Sequence, residues 1–169
     1  MPTNTYDLIG TATATGSSPT IVVSSIPSTY THLYFTANLR SSDSRNGGQS
    51  ASMYFNNVTT STYNKLGFSN NASYYQINTV SIELNCTMNG TTANGFWQNE
   101  GLISQYKNGD MYKPIWLRAG GHDSGGNGVD LNYGLWRSLS AINSVYITEP
   151  SNLNWVAGST LSVYGIVGA

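Results

Sequence analysis

A chain of 169 residues is long enough to bury a core without disulfides or metals, and its single cysteine rules out an intrachain disulfide. Charged residues make up 9% of it, against about 25% in ordinary globular domains. The net charge is -1 and no two basic residues are adjacent, so no basic field would gather nucleic acid or an anionic membrane. Twelve tyrosines and four tryptophans in a nearly neutral chain also argue against disorder.

Residues 6–14 (Y-D-L-I-G-T-A-T-A) predict a first strand, closed by the turn cluster Gly16, Ser17, Ser18 and Pro19. A β-branched strand follows over 20–24, and Pro27 ends that run. The alternation in 32–40 puts Leu33, Phe35, Ala37 and Leu39 on one face. A polar loop over 41–49 precedes a strand over 50–56 and an Asn56-Asn57 turn. Residues 63–75 are rich in Asn, Ser and Tyr and predict one short strand around 65–68. In 79–88 Ile82, Leu84, Cys86 and Met88 point inward, and Asn89-Gly90 has hairpin chemistry. Segments 96–106 and 111–119 form a strand pair around the Asn108-Gly109 turn. The second member sets Ile115, Leu117 and Ala119 opposite Trp116 and Arg118. G-G-H-D-S-G-G-N-G (120–128) predicts a flexible loop, after which 129–137 places Leu131, Tyr133 and Leu135 on one face. The closing strands, 142–148 and 160–166, flank a loop bracketed by Pro150 and Gly158, and the chain is organised around them.

No window carries apolar residues at helical spacing with a cap. The expected fold is all-β: one antiparallel β-sandwich domain over 1–169, jelly-roll-like, with about nine or ten strands and no substantial helix. The N-terminus has neither a basic region nor an apolar run, so no signal peptide is expected, and no apolar run approaches membrane-spanning length. The N-x-[ST] sequons at Asn57, Asn71, Asn85 and Asn89 are discounted accordingly.

Chemistry is sparse. The eight carboxylates are scattered and form no pair motif. His122 and Asp123 sit in the glycine-rich stretch, which lacks the regular oxygen spacing of a calcium loop. Neither His32 nor His122 has a nucleophile signature nearby. Cys86 lies among apolar neighbours and reads as a buried, inert thiol. No catalytic residue, metal or cofactor is expected. The better lead is aromatic. Tyr34, Trp116, Trp136, Tyr146 and Tyr164 fall opposite the apolar residues of their strands, where they suit a protein interface, a covering layer of core, or a sugar platform. Asp43, Arg45, His122 and Asp123 mark the candidate exposed loops.

Six motifs in order carry a resemblance. They are L-I-G-T-A-T-A (8–14), S-S-I-P-S-T-Y-T-H-L (24–33), R-S-S (40–42), Y-F-N-N with S-T-Y-N (54–64), G-L-W-R-S-L-S-A-I-N-S-V (134–145) and W-V-A-G-S-T-L-S-V-Y-G-I (155–166). Together they resemble small β-sandwich virion proteins of tailed bacteriophages of aquatic bacteria, cyanophages included. The resemblance implies a structural part of the particle, not an enzyme: a capsid decoration (cement) protein, a head fibre, or a tail or tail-fibre component. It implies a homo-oligomer, by analogy a trimer, with the major capsid protein or other virion proteins as partners. A tail role would add host surface glycans. Neither nucleic acid nor membrane is expected, and the location would be the virion after synthesis in the host cytoplasm. A domain that begins almost at Met1 favours a compact accessory over a long fibre.

Overall fold

The computed structural model describes residues 5–69, 72–90, 95–123 and 126–167, which form twelve strands and no helix. In chain order these are β1 (Asp7–Thr13), β2 (Thr20–Val23), β3 (His32–Ser41), β4 (Gly48–Phe55), β5 (Tyr63–Ser69) and β6 (Ala72–Thr79). They are followed by β7 (Ile82–Met88), β8 (Trp97–Ile103), β9 (Lys113–Asp123), β10 (Gly126–Trp136), β11 (Val145–Thr148) and β12 (Thr160–Ile166). The Asn71 sequon lies outside the described residues.

β3 is the branch point of the sheet. It pairs antiparallel with β12 on one side and β8 on the other. Beyond β8 come β9, β10, β5 and β6, and beyond β12 comes β1, which completes a group of eight strands. At its far end β3 also meets β7 in a short parallel ladder, Arg40 opposite Thr87 and Ser41 opposite Met88. β7 then leads through β4 and β11 to β2. The sheet is therefore mixed, not wholly antiparallel, and has twelve strands where nine or ten were expected. One missed element is β6. It comes from a stretch whose tyrosines and asparagines hide the two-residue alternation.

Alternation decided most inward faces. Leu33, Phe35, Ala37 and Leu39 of β3 are fully buried, and so are Ile82, Leu84 and Cys86 of β7. They join Met53, Phe55, Val145, Ile147, Leu161 and Val163 in one apolar cluster. The Asn56-Asn57 turn holds: both residues have left-handed backbones and Val58 N donates to Phe55 O at 2.9 Å. The Asn56 side chain also fixes the approach to β11, donating to Ala141 O and accepting from the Asn143 and Ser144 amides.

Asn89-Gly90 does not close a hairpin. β7 and β8 share no ladder, because the amides of Asn89 and Gly90 donate to Asp43 O and Arg45 O. At Asn85 the edge of β7 facing β8 is closed by a side chain. Asn99 Oδ1 accepts from Asn85 N (2.9 Å) while its Nδ2 donates to Asn85 O (2.8 Å).

Of the expected flexible loop over 120–128, the described residues 120–123 and 126–128 are instead strand. β9 and β10 pair from Asp123–Gly126 down to Lys113–Trp136. Two of its glycines answer a packing need, since a methyl on Gly121 would come within 2.6 Å of the Trp97 ring and one on Gly128 closer still. The faces of β10 are reversed as well. Asp130, Asn132, Gly134 and Trp136 point inward, and Leu131 is 49% exposed. The reason is packing between strands that are not ladder neighbours: Ile82 of β7 fills the space over Gly134, and Trp136 packs against Phe55 and stacks with Tyr63.

The resemblance motifs serve the fold. Trp155 is buried, and its amide donates to Ser18 O. Ser159 Oγ accepts from Arg40 N (3.1 Å) and donates to Arg40 O (3.2 Å). The Arg40 guanidinium in turn binds Asn89 Oδ1, Asn89 O and Gly95 O. Gly158, with φ +92°, supplies the left-handed residue that ends this closing loop ahead of β12.

Candidate functional site

In a strand successive side chains take opposite faces, so ladder registers decide which outward residues become neighbours. On the eight-strand group the registers align one residue from each strand into a single row. Leu8 opposes Tyr164, Tyr164 opposes Tyr34, and Tyr34 opposes Leu102. The row continues through Trp116, Tyr133 and Leu66 to Tyr75 on β6. All eight are apolar or aromatic. At a strand spacing of about 4.8 Å the row runs roughly 30 Å across the molecule. Leu8, Trp116 and Tyr75 are well exposed, Tyr75 to 68%, and the others are partly covered by one another.

The aromatics hold each other in place. Trp116 and Tyr133 meet edge to face at 4.7 Å, Tyr133 meets Phe68 the same way at 6.4 Å, and Tyr34 lies between Tyr6 and Tyr164. Beside Trp116 is a cleft of about 240 Å³ lined by Tyr34, Glu100, Leu102, Trp116, Arg118 and Tyr133 among others. Two more hollows, of about 330 and 360 Å³, share Arg118 with it.

The next row is polar at its centre. Glu100 opposes Arg118 and forms an ion pair with it, while the Tyr34 hydroxyl donates to the same carboxylate. Tyr34 and Arg118 together hold the Glu100 carboxyl below its ordinary range. Burial and the adjacent carboxylate push the Tyr34 hydroxyl up to about 12. At neutral pH the cleft thus presents one fixed carboxylate, one guanidinium and one phenol that keeps its proton. Glu100 is the one carboxylate lining the three hollows among the described residues, and it is already ionised. Among the described residues no second acid lines these hollows beside it.

The structure brings together three of the five aromatics singled out from sequence: Tyr34, Trp116 and Tyr164. Trp136 is a correction. It is 1% exposed, sealed by Phe55 and Tyr63, because the even residues of β10 point inward. Tyr146 lies apart on β11, stacked on Tyr54 at 5.2 Å, and the Tyr54 hydroxyl hydrogen-bonds Thr148. Asp43 is also corrected. It is buried and its carboxylate receives Arg45, whose own side chain is exposed, so the loop is pinned by an ion pair. His122 is exposed at the end of β9; the side chain of Asp123 lies outside what the structure describes. Among the described residues no three His, Cys, Asp or Glu side chains gather as metal ligands.

Glu100, Leu102, Leu66, Tyr133 and Tyr75 were missed as site residues. Arg118 already shared a face with Trp116 in the sequence pattern. The others become neighbours only through register, which one strand's alternation does not contain. No family model, no curated protein and no solved structure matches the chain.

Proposed function

We propose that this chain is a structural protein of a bacteriophage virion, a capsid decoration protein that binds the outer surface of the major capsid lattice as a homo-oligomer and stabilises the head. The observation that carries this reading is the row from Leu8 to Tyr75, an apolar band across an open sheet face on a nearly uncharged protein. Contiguous exposed apolar surface on a soluble protein marks a contact site. An interface with few charges and many tyrosines tolerates close, wet packing. Bound copies stabilise the shell by mass action. The fold belongs to this reading as a jelly-roll-like β-sandwich. Its support is the packing of β7 and β2 side chains against β10 and β1, Ile82 over Gly134 and Val23 over Gly10.

The test mixes purified protein with expanded empty capsids of the parent phage, sediments them and counts copies per shell. Hundreds of copies with a raised shell melting temperature are expected, and Trp116→Ala with Tyr133→Ala should abolish most binding. Absence of binding, or a handful of copies confined to tailed particles, overturns the decoration role.

A second reading has its own observation. Trp116, braced by Tyr133, stands beside the Glu100 carboxylate and the Arg118 guanidinium. An aromatic plane next to paired hydrogen-bonding groups is the chemistry of sugar recognition. It would make the protein a tail component or receptor-binding adhesin for host surface glycans. Glycan-array binding that is lost in Trp116→Ala, together with tail localisation, would select it.

A further inference from the structure

β6 ends the eight-strand group, and its second edge has no partner strand among the described residues. Such an edge presents a line of N–H and C=O groups that another strand can complete, and soluble proteins ordinarily guard it with charge, proline or brevity. β6 reads A-S-Y-Y-Q-I-N-T: eight residues, no charged side chain and no proline. The described side chains over 73–78 are exposed apart from Tyr74, with Tyr75 and Ile77 the large apolar ones. Its one irregularity is at the far end, where Asn78 has a left-handed backbone and the register with β5 shifts opposite Asn64.

The other two edges are guarded. β2 has four residues. β1 carries Asp7 and a register shift between Leu8 and Gly10.

We infer that β6 pairs antiparallel with β6 of a second copy about a two-fold axis, joining two eight-strand groups edge to edge. Three features select a second copy. An antiparallel β6 pair sets no charge against a like charge in any register, because the strand has none. Residues Tyr75 and Ile77 share one face, so each copy covers the apolar end of its mate's row. With the axis perpendicular to the sheet, both outer faces lie on the same side. The Leu8-to-Tyr75 row then continues into the second molecule as one contact pad.

This inference rests on the homo-oligomer in the proposed function, and it replaces the trimer expected by analogy with an isologous pair. A trimer through these edges would need β6 of one copy beside β1 of the next, and β1 is the guarded edge.

The experiment uses the full chain. Light scattering after size-exclusion chromatography, over a wide concentration range, should give twice the chain mass. Tyr75→Lys with Ile77→Lys places like charges across the axis and should weaken the dimer at least about tenfold, leaving circular dichroism unchanged. Single cysteines at Ser73, Tyr75 and Ile77 report the pairing directly. At least one should form an oxidised dimer, whereas Ser17→Cys should not. Cys86 is buried and will not contribute. A monomer at every concentration overturns both this inference and the homo-oligomer reading. An oligomer of three chains, or one that survives the lysine pair without cross-linking through β6, overturns the β6 pairing alone.

Discussion

Lys113 is fully buried, yet among the described residues no carboxylate receives it. Its Nζ donates to three backbone carbonyls, Asn108 O (2.6 Å), Met111 O (2.9 Å) and Ser138 O (3.0 Å). One ammonium thus ties the β8–β9 connection to the segment after β10. Burial pushes its pKa down. Lys113→Met would keep much of the volume and remove the donor, stranding carbonyls that cost about 1–3 kcal/mol each when left unsatisfied. The expected loss is about 3 kcal/mol or more in urea denaturation, with faster proteolysis within 104–112; an unchanged midpoint would refute this role. Glu149 works in the opposite sense. It is buried, accepts from Ser41 Oγ (2.6 Å) and the amides of Ser151 (2.8 Å) and Leu153 (2.7 Å), and shapes the loop before Trp155. Neither role follows from sequence, where Glu149 is notable only for preceding a proline. Both depend on where distant carbonyls and amides arrive.

At the scale of elements, the β9–β10 hairpin shows how composition can mislead. Glycine clusters ordinarily mark loops. Gly121 and Gly128 oppose each other across this ladder, and the Trp97 ring from β8 lies over both. Gly128→Ala would drive a methyl into that ring, and overpacking of this kind costs about 1–3 kcal/mol. In a Trp97→Leu background the same substitution should cost measurably less, because the two sites share one volume. Additive effects in thermal denaturation would sink the explanation. Trp136 gives the converse case. Set by alternation opposite the apolar residues of its strand, where interface, covering core and sugar platform are all open, it fills the space between Phe55 and Tyr63, so Trp136→Ala should destabilise by about 3–5 kcal/mol. Trp116→Ala, on the exposed face of the neighbouring strand, should leave the melting temperature nearly unchanged. Opposite results for the two tryptophans would overturn the assignment of faces.

For the whole molecule, charge is scarce enough that its pH response comes from a few identifiable groups. Burial, then the Glu100 carboxylate, raises Tyr34 from 10.0 to about 12; burial raises Tyr63 from 10.0 to about 12 and Cys86 from 9.0 to about 12. A folded-state pKa above the unfolded one contributes stability that is complete below the unfolded value and lost as pH rises through the folded one. Between pH 9.0 and about 12 these three groups should therefore drain stability. The lowered Lys113 opposes them as a single group. On the acid side Glu100 and Asp43 are held below their ordinary 4.5 and 3.8, so their contribution is present above those values and lost as pH falls beneath them. The melting temperature should be nearly level between about pH 5 and 9 and decline on both sides. A decline that began near pH 7 would contradict this set of groups.

Much of the architecture was legible in the chain. Strict alternation in β3, β7 and β9 identified their inward residues, since apolar and polar side chains must separate to opposite faces wherever one face is buried. Asn56-Asn57 announced a turn because asparagine tolerates the left-handed backbone that the turn requires. What the sequence by itself determined is an all-β chain with little charge and an excess of outward aromatics. The faces of β10 were decided only in three dimensions, where Ile82, Phe55 and Tyr63 arrive from other strands to claim Gly134 and Trp136. The row from Leu8 to Tyr75 was decided there too. A strand's alternation tells which residues share its face, but seven ladder registers, set by packing between strands far apart in the chain, choose which of them become neighbours.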